Sequence, residues 1–200
     1  MSVDRLQITV IIGSVRAGRF GPTVATWFAR QVAARDDMTL DLLDLADFMH
    51  PADMSDAEDV RAFAARIGAA DAFVIITPEY NHSYPGPLKT ALDSLSQEWR
   101  GKVAGFVSYG GLSGGLRAVE ALRIVFAELH TATIRETVSF HGVRGQFDAE
   151  GNPIHAEAVD AAATVMLNQL AWWARALKAA RASQPYGSCP RRHTPRPHGF

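Results

Sequence analysis

The order of its apolar segments constrains this chain more than any other feature. Strand-like runs at Leu6 to Ile12, Met38 to Leu45, Ala72 to Thr77, Lys102 to Tyr109 and Thr133 to Phe140 are separated by stretches whose apolar residues recur every three or four positions. Those stretches present helical faces: Val24, Trp27, Phe28 and Val32; Val60, Phe63, Ala64 and Ile67; Leu88, Ala91, Leu92, Leu95 and Trp99; Val119, Leu122, Phe126 and Leu129. A last helix is expected from about Ala156 to Arg181, with Val159, Met166, Leu170, Trp173 and Leu177 turned inward. Strands joined through helices must run parallel, with right-handed crossovers, so the chain belongs in the α/β class as a doubly wound sheet with helices on both faces. Ile8 to Ile12, Phe73 to Ile76 and Val103 to Val107 are almost unbroken in apolar residues, as parallel strands covered on both sides require. Polar residues interrupt Met38 to Leu45, which suits an edge, and a five-stranded order of 2-1-3-4-5 accommodates it.

Composition narrows the possible functions. The chain has 200 residues, 48% hydrophobic and 20% charged, with a net charge of −1. A basic surface for nucleic acid is not expected from such a balance, and small-molecule chemistry gains by elimination. The lone Cys189 cannot form an internal disulfide or a multi-thiolate metal site. No run approaches the roughly 18 apolar residues of a membrane span, so a cytoplasmic setting is expected, with no membrane partner. Residues 1–182 read as one domain, and 183–200, rich in Pro and Arg and free of acids, as a flexible C-terminal tail.

In an open parallel sheet the ligand lies beyond the carboxyl ends of the strands, where the strand order reverses. Three loops therefore matter. The loop after the first strand, Gly13-Ser-Val-Arg-Ala-Gly-Arg-Phe-Gly-Pro-Thr-Val24, has glycines that bend it and Pro22 in a first helical turn. Arg16 and Arg19 place two cations near the positive end of a helix dipole, an arrangement an anion such as a phosphomonoester would stabilise, and Ser14 and Thr23 add hydroxyls. It has neither a Walker ending nor a Gly-x-Gly-x-x-Gly fingerprint. The loop after the third strand, Thr77-Pro-Glu-Tyr-Asn-His-Ser-Tyr-Pro-Gly-Pro-Leu-Lys89, is stiffened by prolines and carries Tyr80 and Tyr84, a setting suited to a planar ring. After the fourth strand, Ser108-Tyr-Gly-Gly-Leu-Ser-Gly-Gly115 lets backbone approach a ligand closely, with the following helix expected to start near Leu116 and turn its amides to the site. No Gly-x-Ser-x-Gly elbow and no metal-ligand cluster accompany these loops.

Gly13-Ser-x-Arg16, Pro78-Glu-Tyr-Asn81 with Pro85-Gly-x-Leu-Lys89 and Asp93, and Ser108-Tyr-Gly-Gly111 occur in this order at the ends of strands one, three and four. Together they resemble the NAD(P)H-dependent FMN reductase family, whose members include azoreductase-like, quinone-reducing and chromate-reducing flavoproteins, and the likeness covers about Ile8 to Phe140. The resemblance implies a flavodoxin-like fold and FMN bound without a covalent link. It implies that the phosphate is held by Ser14, Arg16 and the turn of Arg19, Phe20, Gly21, Pro22 and Thr23. By the same likeness Pro78, Glu79, Tyr80 and Asn81 meet the ring edge, and Ser108, Tyr109, Gly110 and Gly111 meet the pyrimidine end. Tyr80 and Tyr84 would frame the space for a stacking substrate. Arg19 stands where some members have serine, replacing a hydroxyl with a charge. The expected activity takes hydride from NADPH or NADH and passes electrons to a small acceptor: free flavin, a quinone or an azo compound. No catalytic side chain and no metal are required, because the cofactor carries the chemistry. Homodimers or homotetramers are implied as well. The rival reading is a flavodoxin-like electron carrier, which would not oxidise NAD(P)H on its own.

Overall fold

The computed structural model describes residues 5–51, 53, 55 and 57–187. Five parallel strands, β1 (Leu6–Ile12), β2 (Met38–Asp44), β3 (Ala72–Pro78), β4 (Val103–Tyr109) and β5 (Ala132–Phe140), form one sheet in the order β2-β1-β3-β4-β5. The strand order reverses at β1, which pairs Ile8 with Leu40 of β2 on one side and with Ala72 of β3 on the other. Every residue of β3 and β4 is buried, whereas β2 mixes buried, half-buried and exposed residues and ends up at an edge, as its polar residues anticipate.

Five helices cover the two faces: α1 (Gly21–Ala33) and α5 (Ala156–Ser183) on one, α2 (Glu58–Ala69), α3 (Gly86–Asp93) and α4 (Leu116–Glu128) on the other. Alternate residues of a strand feed opposite cores. Ile8, Val10 and Ile12 pack with Val24, Trp27 and Phe28 of α1, while Ile11 packs with Phe63 and Leu92 on the far side. Both edges are blunted by arginines from a covering helix. Arg66 donates to Asp41 and to the Leu42 carbonyl (2.7 Å) at β2, and Arg123 donates to the Ile134 carbonyl (2.7 Å) at β5.

Two helical expectations need correction. The apolar spacing from Leu88 to Trp99 predicts one helix, but α3 stops at Asp93, where the Ser94 hydroxyl turns back on the Ala91 carbonyl (2.8 Å). Trp99 is buried anyway, held in the following turn by a bond from its indole to the Leu92 carbonyl (3.3 Å). In α5 the buried face is built from Ala163, Met166, Leu167, Leu170, Ala171 and Ala174, and Trp173 is turned out, 39% exposed. Alanines at those positions bring α5 too close to the sheet for an indole to fit beneath. The expected tail overlaps this helix at Ser183, and its residues 188–200, Cys189 among them, lie outside the described residues.

Candidate functional site

The loops after β1, β3 and β4 meet beyond the carboxyl ends of the strands, where the sequence places the site. They enclose a cleft of about 270 Å³ lined by Arg16 to Phe20, Pro78 to Tyr80, Tyr109 and Gly110, with Val143 and Arg144 closing one side.

The first loop leaves β1 with the Gly13 amide on the Ile76 carbonyl (2.9 Å) and turns at Arg16 to Arg19, using a left-handed Gly18 (φ +66°). No side chain caps the N-terminus of α1, and Pro22 removes one of its donors. Among the described residues Arg16 has no partner for its guanidinium. Arg19 differs from the sequence expectation of two free cations: it pairs with Asp44 at the end of β2, leaving its Nε buried without a partner. Ser14 is fully buried, and its hydroxyl is shared with the Tyr80 hydroxyl (2.7 Å). It ties the first loop to the second, and does not stand among the residues lining the cleft.

The second loop folds as a tight hairpin. Tyr80 and Ser83 exchange backbone bonds (2.8 and 3.1 Å) around Asn81 and His82, both with positive φ (49° and 70°). Two left-handed residues in succession match the strand twist of a type I′ turn, and Asn tolerates that geometry best after Gly. Asn81 thus sits exposed at the hairpin tip, away from the cleft lining. Tyr84 is likewise displaced: it packs half-buried on the α2–α4 side of the sheet, beside Lys89 and Asp93, and burial raises its phenol. Only Tyr80 of the expected aromatic pair faces the cleft.

Glu79 has a role that its sequence position does not disclose. Its carboxylate accepts from the Ser113 hydroxyl (2.6 Å) and from both the amide (3.2 Å) and the guanidinium (2.9 Å) of Arg117. Burial pushes this carboxyl up, but the three hydrogen bonds outweigh it and hold it below its usual range. The first turn of α4 is therefore capped from another loop, and the Arg117 amide is not free for a ligand.

In the third loop Ser108 points inward to the Gly114 carbonyl (2.8 Å) and so braces the loop. Gly114 and Gly115 adopt φ of +61° and +87°, and a Cβ on Gly115 would lie 2.7 Å from that of Ser108, so only glycine fits. Gly21, Pro22, Thr23 and Gly111 are not among the residues that line the cleft. Tyr109 reaches under the first loop, and its hydroxyl is buried without a hydrogen-bond partner; the nearby Gly21 amide lowers its phenol slightly, but burial and the Tyr80 phenol push it far up. A proton donor left unpaired beside a cleft is costly, about 1–3 kcal/mol, unless something arrives to accept from it.

Sequence reasoning missed the fourth wall. The segment after β5 is docked on the third loop by the Gly142 amide on Gly111 (2.9 Å) and the Val143 amide on Gly110 (3.0 Å), which sets the exposed Arg144 at the cleft rim. Its only sequence signal is a turn-rich stretch with a basic residue, too common to single out. Among the described residues no group of three or more His, Cys, Asp and Glu is placed to hold a metal, and no helix is long and apolar enough to cross a membrane.

The NADPH-dependent FMN reductase family model matches residues 6–145, which contain β1 to β5 and all three loops. The chain belongs to this family. Relatives within reach of it include an NAD(P)H-dependent FMN reductase of Schizosaccharomyces pombe, 41% identical over 122 residues, which covers 54% of this chain and 60% of that protein. The chain thus spans less than two thirds of that relative's length. A probable NADPH:quinone oxidoreductase 2 of rice is 33% identical over 169 residues, covering 78% of this chain and 83% of its own, and a quinone reductase of Escherichia coli K12 is 33% identical over 150, covering 70% and 79%. Among solved structures, the flavoenzyme NAD(P)H:(acceptor) oxidoreductase FerB of Paracoccus denitrificans superposes with a TM-score of 0.68 at 23% identity, covering 85% of this chain and 98% of its own, a likeness of fold.

Proposed function

We propose that this protein is an NAD(P)H-dependent oxidoreductase that holds FMN in the cleft and delivers electrons to a small acceptor of the quinone or free-flavin kind. The observation that carries this reading is the convergence, at the point where the strand order reverses, of an unpaired Arg16, an uncapped α1 N-terminus and the unpartnered Tyr109 hydroxyl. The donor set fits a phosphorylated flavin: Arg16 and the amides opening α1 for the phosphate, the Pro78 to Tyr80 strand end and the Tyr109-Gly110 backbone for the ring. The quinone and flavin reductases among its relatives support the acceptor class.

Bound there, FMN supplies the hydride-accepting and electron-donating chemistry. The chain's own residues bind and orient. Arg16 would neutralise the phosphate, and Arg19, already balanced by Asp44, would fix the turn that presents it. The Tyr109 hydroxyl, kept protonated by burial at any physiological pH, lies under the first loop beside the Gly21 amide at the start of α1. The Glu79 clamp holds the second and third loops in one geometry, so the wall facing the ring is built before any ligand arrives. A cleft of about 270 Å³ is smaller than the roughly 300–1,000 Å³ typical of small-molecule pockets, so a flavin held here would be only partly enclosed by this chain, leaving room for a stacking partner. Homodimeric or homotetrameric assembly and a cytoplasmic setting complete the reading.

The test is an absorbance spectrum of the purified protein supplied with FMN, followed by anaerobic NADPH or NADH and then a quinone. The expected result is a yellow protein that bleaches with the nicotinamide and turns over with the quinone. A colourless protein that ignores FMN overturns the cofactor assignment. A yellow protein that no reduced nicotinamide bleaches returns the chain to the electron-carrier class.

A further inference from the structure

Among the described residues, the charged side chains that line the cleft are Arg16, Arg19, Glu79 and Arg144. Two of them are already answered. Arg19 pairs with Asp44 and Glu79 with Arg117 (2.9 Å), so neither leaves a charge for a ligand. Arg16 and Arg144 have no hydrogen bond or ion pair among the described residues. A phosphomonoester at the start of α1 accounts for Arg16 and leaves Arg144 over.

Arg144 is on a rigid mount. Gly142, left-handed at φ +58°, leads into a 3-10 turn over Val143–Gly145, closed by the Gly145 amide on the Gly142 carbonyl (2.9 Å) and the Gln146 amide on the Val143 carbonyl (3.1 Å). Val143 and Phe147 on either side are buried, and Phe147 meets Phe20 of the first loop edge-on (centroids 5.4 Å apart). Between these anchors the Arg144 side chain is exposed. The nearest acid downstream does not take it up, because the Asp148 carboxylate accepts from the Asn152 amide (2.7 Å) and side chain (3.3 Å) to close its own turn. A fixed backbone lowers the entropy lost when a guanidinium grips an anion, and its planar fork matches two phosphate oxygens at once.

Position separates this cation from the one expected to hold the cofactor. Arg16 follows β1, whereas the Val143 amide is docked on the Gly110 carbonyl (3.0 Å) just after β4. Those strands lie two places apart in the sheet, roughly 10 Å at about 4.8 Å per strand. We propose that Arg144 binds a phosphate of the incoming reduced dinucleotide, and so serves the reductive half of the reaction and not the acceptor half. The inference rests on the flavin reading above: a dinucleotide brings phosphates to the rim of the cleft, and a quinone brings none.

The experiment compares wild type with Arg144→Gln and Arg144→Lys, each loaded with FMN, by calorimetric titration with NADP+ and NAD+, which do not reduce the flavin. Arg144→Gln should weaken dinucleotide binding about tenfold, the worth of one charge-assisted hydrogen bond, and Arg144→Lys should recover part of the loss. A loss confined to NADP+ assigns the 2′-phosphate, and an equal loss for both assigns the pyrophosphate. Raising the salt from about 0.01 M to about 0.15 M should weaken binding more in wild type than in Arg144→Gln, which has one charge fewer to screen. In steady state with NADPH or NADH and benzoquinone, kcat/KM for the dinucleotide should follow the titration while kcat/KM for the quinone stays within about twofold. FMN affinity of the cofactor-free proteins should also stay within about twofold, and thermal melts confirm that the variants fold.

Dinucleotide binding indifferent to Arg144→Gln overturns the proposal. So does an equal loss of FMN affinity, which would put Arg144 on the cofactor, or an equal fall in kcat/KM for the quinone. A wild type that takes up no FMN overturns the flavin reading and this inference together, whereas a yellow protein indifferent at Arg144 overturns this inference alone.

Discussion

At the amino-terminal end of the sheet, Asp71 is 92% buried and accepts from the Gln7 amide (3.0 Å), Lys178 (3.0 Å) and Arg181 (3.4 Å), while Lys102 beside it donates to the Ile67 and Gly68 carbonyls (2.7 and 2.9 Å) at the end of α2. At the carboxyl end, Arg16 is unpaired among the described residues, and the Tyr109 hydroxyl and Arg19 Nε are buried without partners among them. One end has its buried charges paired within the fold; the other leaves buried polar atoms without a partner among the described residues. Burial alone does not separate the two ends, but the state of the hydrogen-bond partners does.

The largest expected effect is at the closed end. Asp71→Ala removes the acceptor shared by two cations and an amide, and should lower unfolding free energy in urea by about 3–4 kcal/mol while leaving the affinity for FMN within twofold. An equal loss of FMN binding would break the contrast between the ends.

Next is a pH effect from the same cluster. Burial, with Arg181 adding to it, lowers the Lys102 ammonium from its ordinary value to about 8. Between pH 8 and about 10.5 the unfolded chain therefore binds more protons at this lysine than the folded one, so its contribution to stability rises with pH across that window. The gain should reach roughly 2–3 kcal/mol, read as the difference between wild type and Lys102→Met in urea melts across that pH range, because the Met variant lacks the slope.

The smallest effect sharpens the open end. Arg16→Ala should weaken FMN binding about tenfold, the worth of one exposed charge-assisted hydrogen bond of about 1.5 kcal/mol, with the melting temperature of the FMN-free protein unchanged. Fluorescence titration of FMN checks the first part and calorimetry the second. A destabilised FMN-free protein would show that Arg16 serves the fold after all.

The contrast also explains what the sequence could disclose. Strand identity and the edge position of β2 were legible because an unbroken apolar run such as Phe73 to Ile76 has no other stable home, and because Asp41 and Asp44 disqualify β2 from the interior. The three loops were legible because they lie at strand ends. What each side chain does within them was not: the partner of Arg19 is 25 residues away and that of Glu79 is 38, and nothing local marks either pair. Trp99 and Trp173 mislead for a related reason, since helical spacing reports which residues are apolar but not where a serine ends the helix or how closely alanines let it approach the sheet.

The carboxylate of Glu79 joins two segments that the chain order keeps apart, so the floor they form together moves as one piece or not at all. Variation in what such a protein accepts is then steered toward the rim, to the turn at Arg16 and the segment that carries Arg144, where a residue can change without unseating that floor.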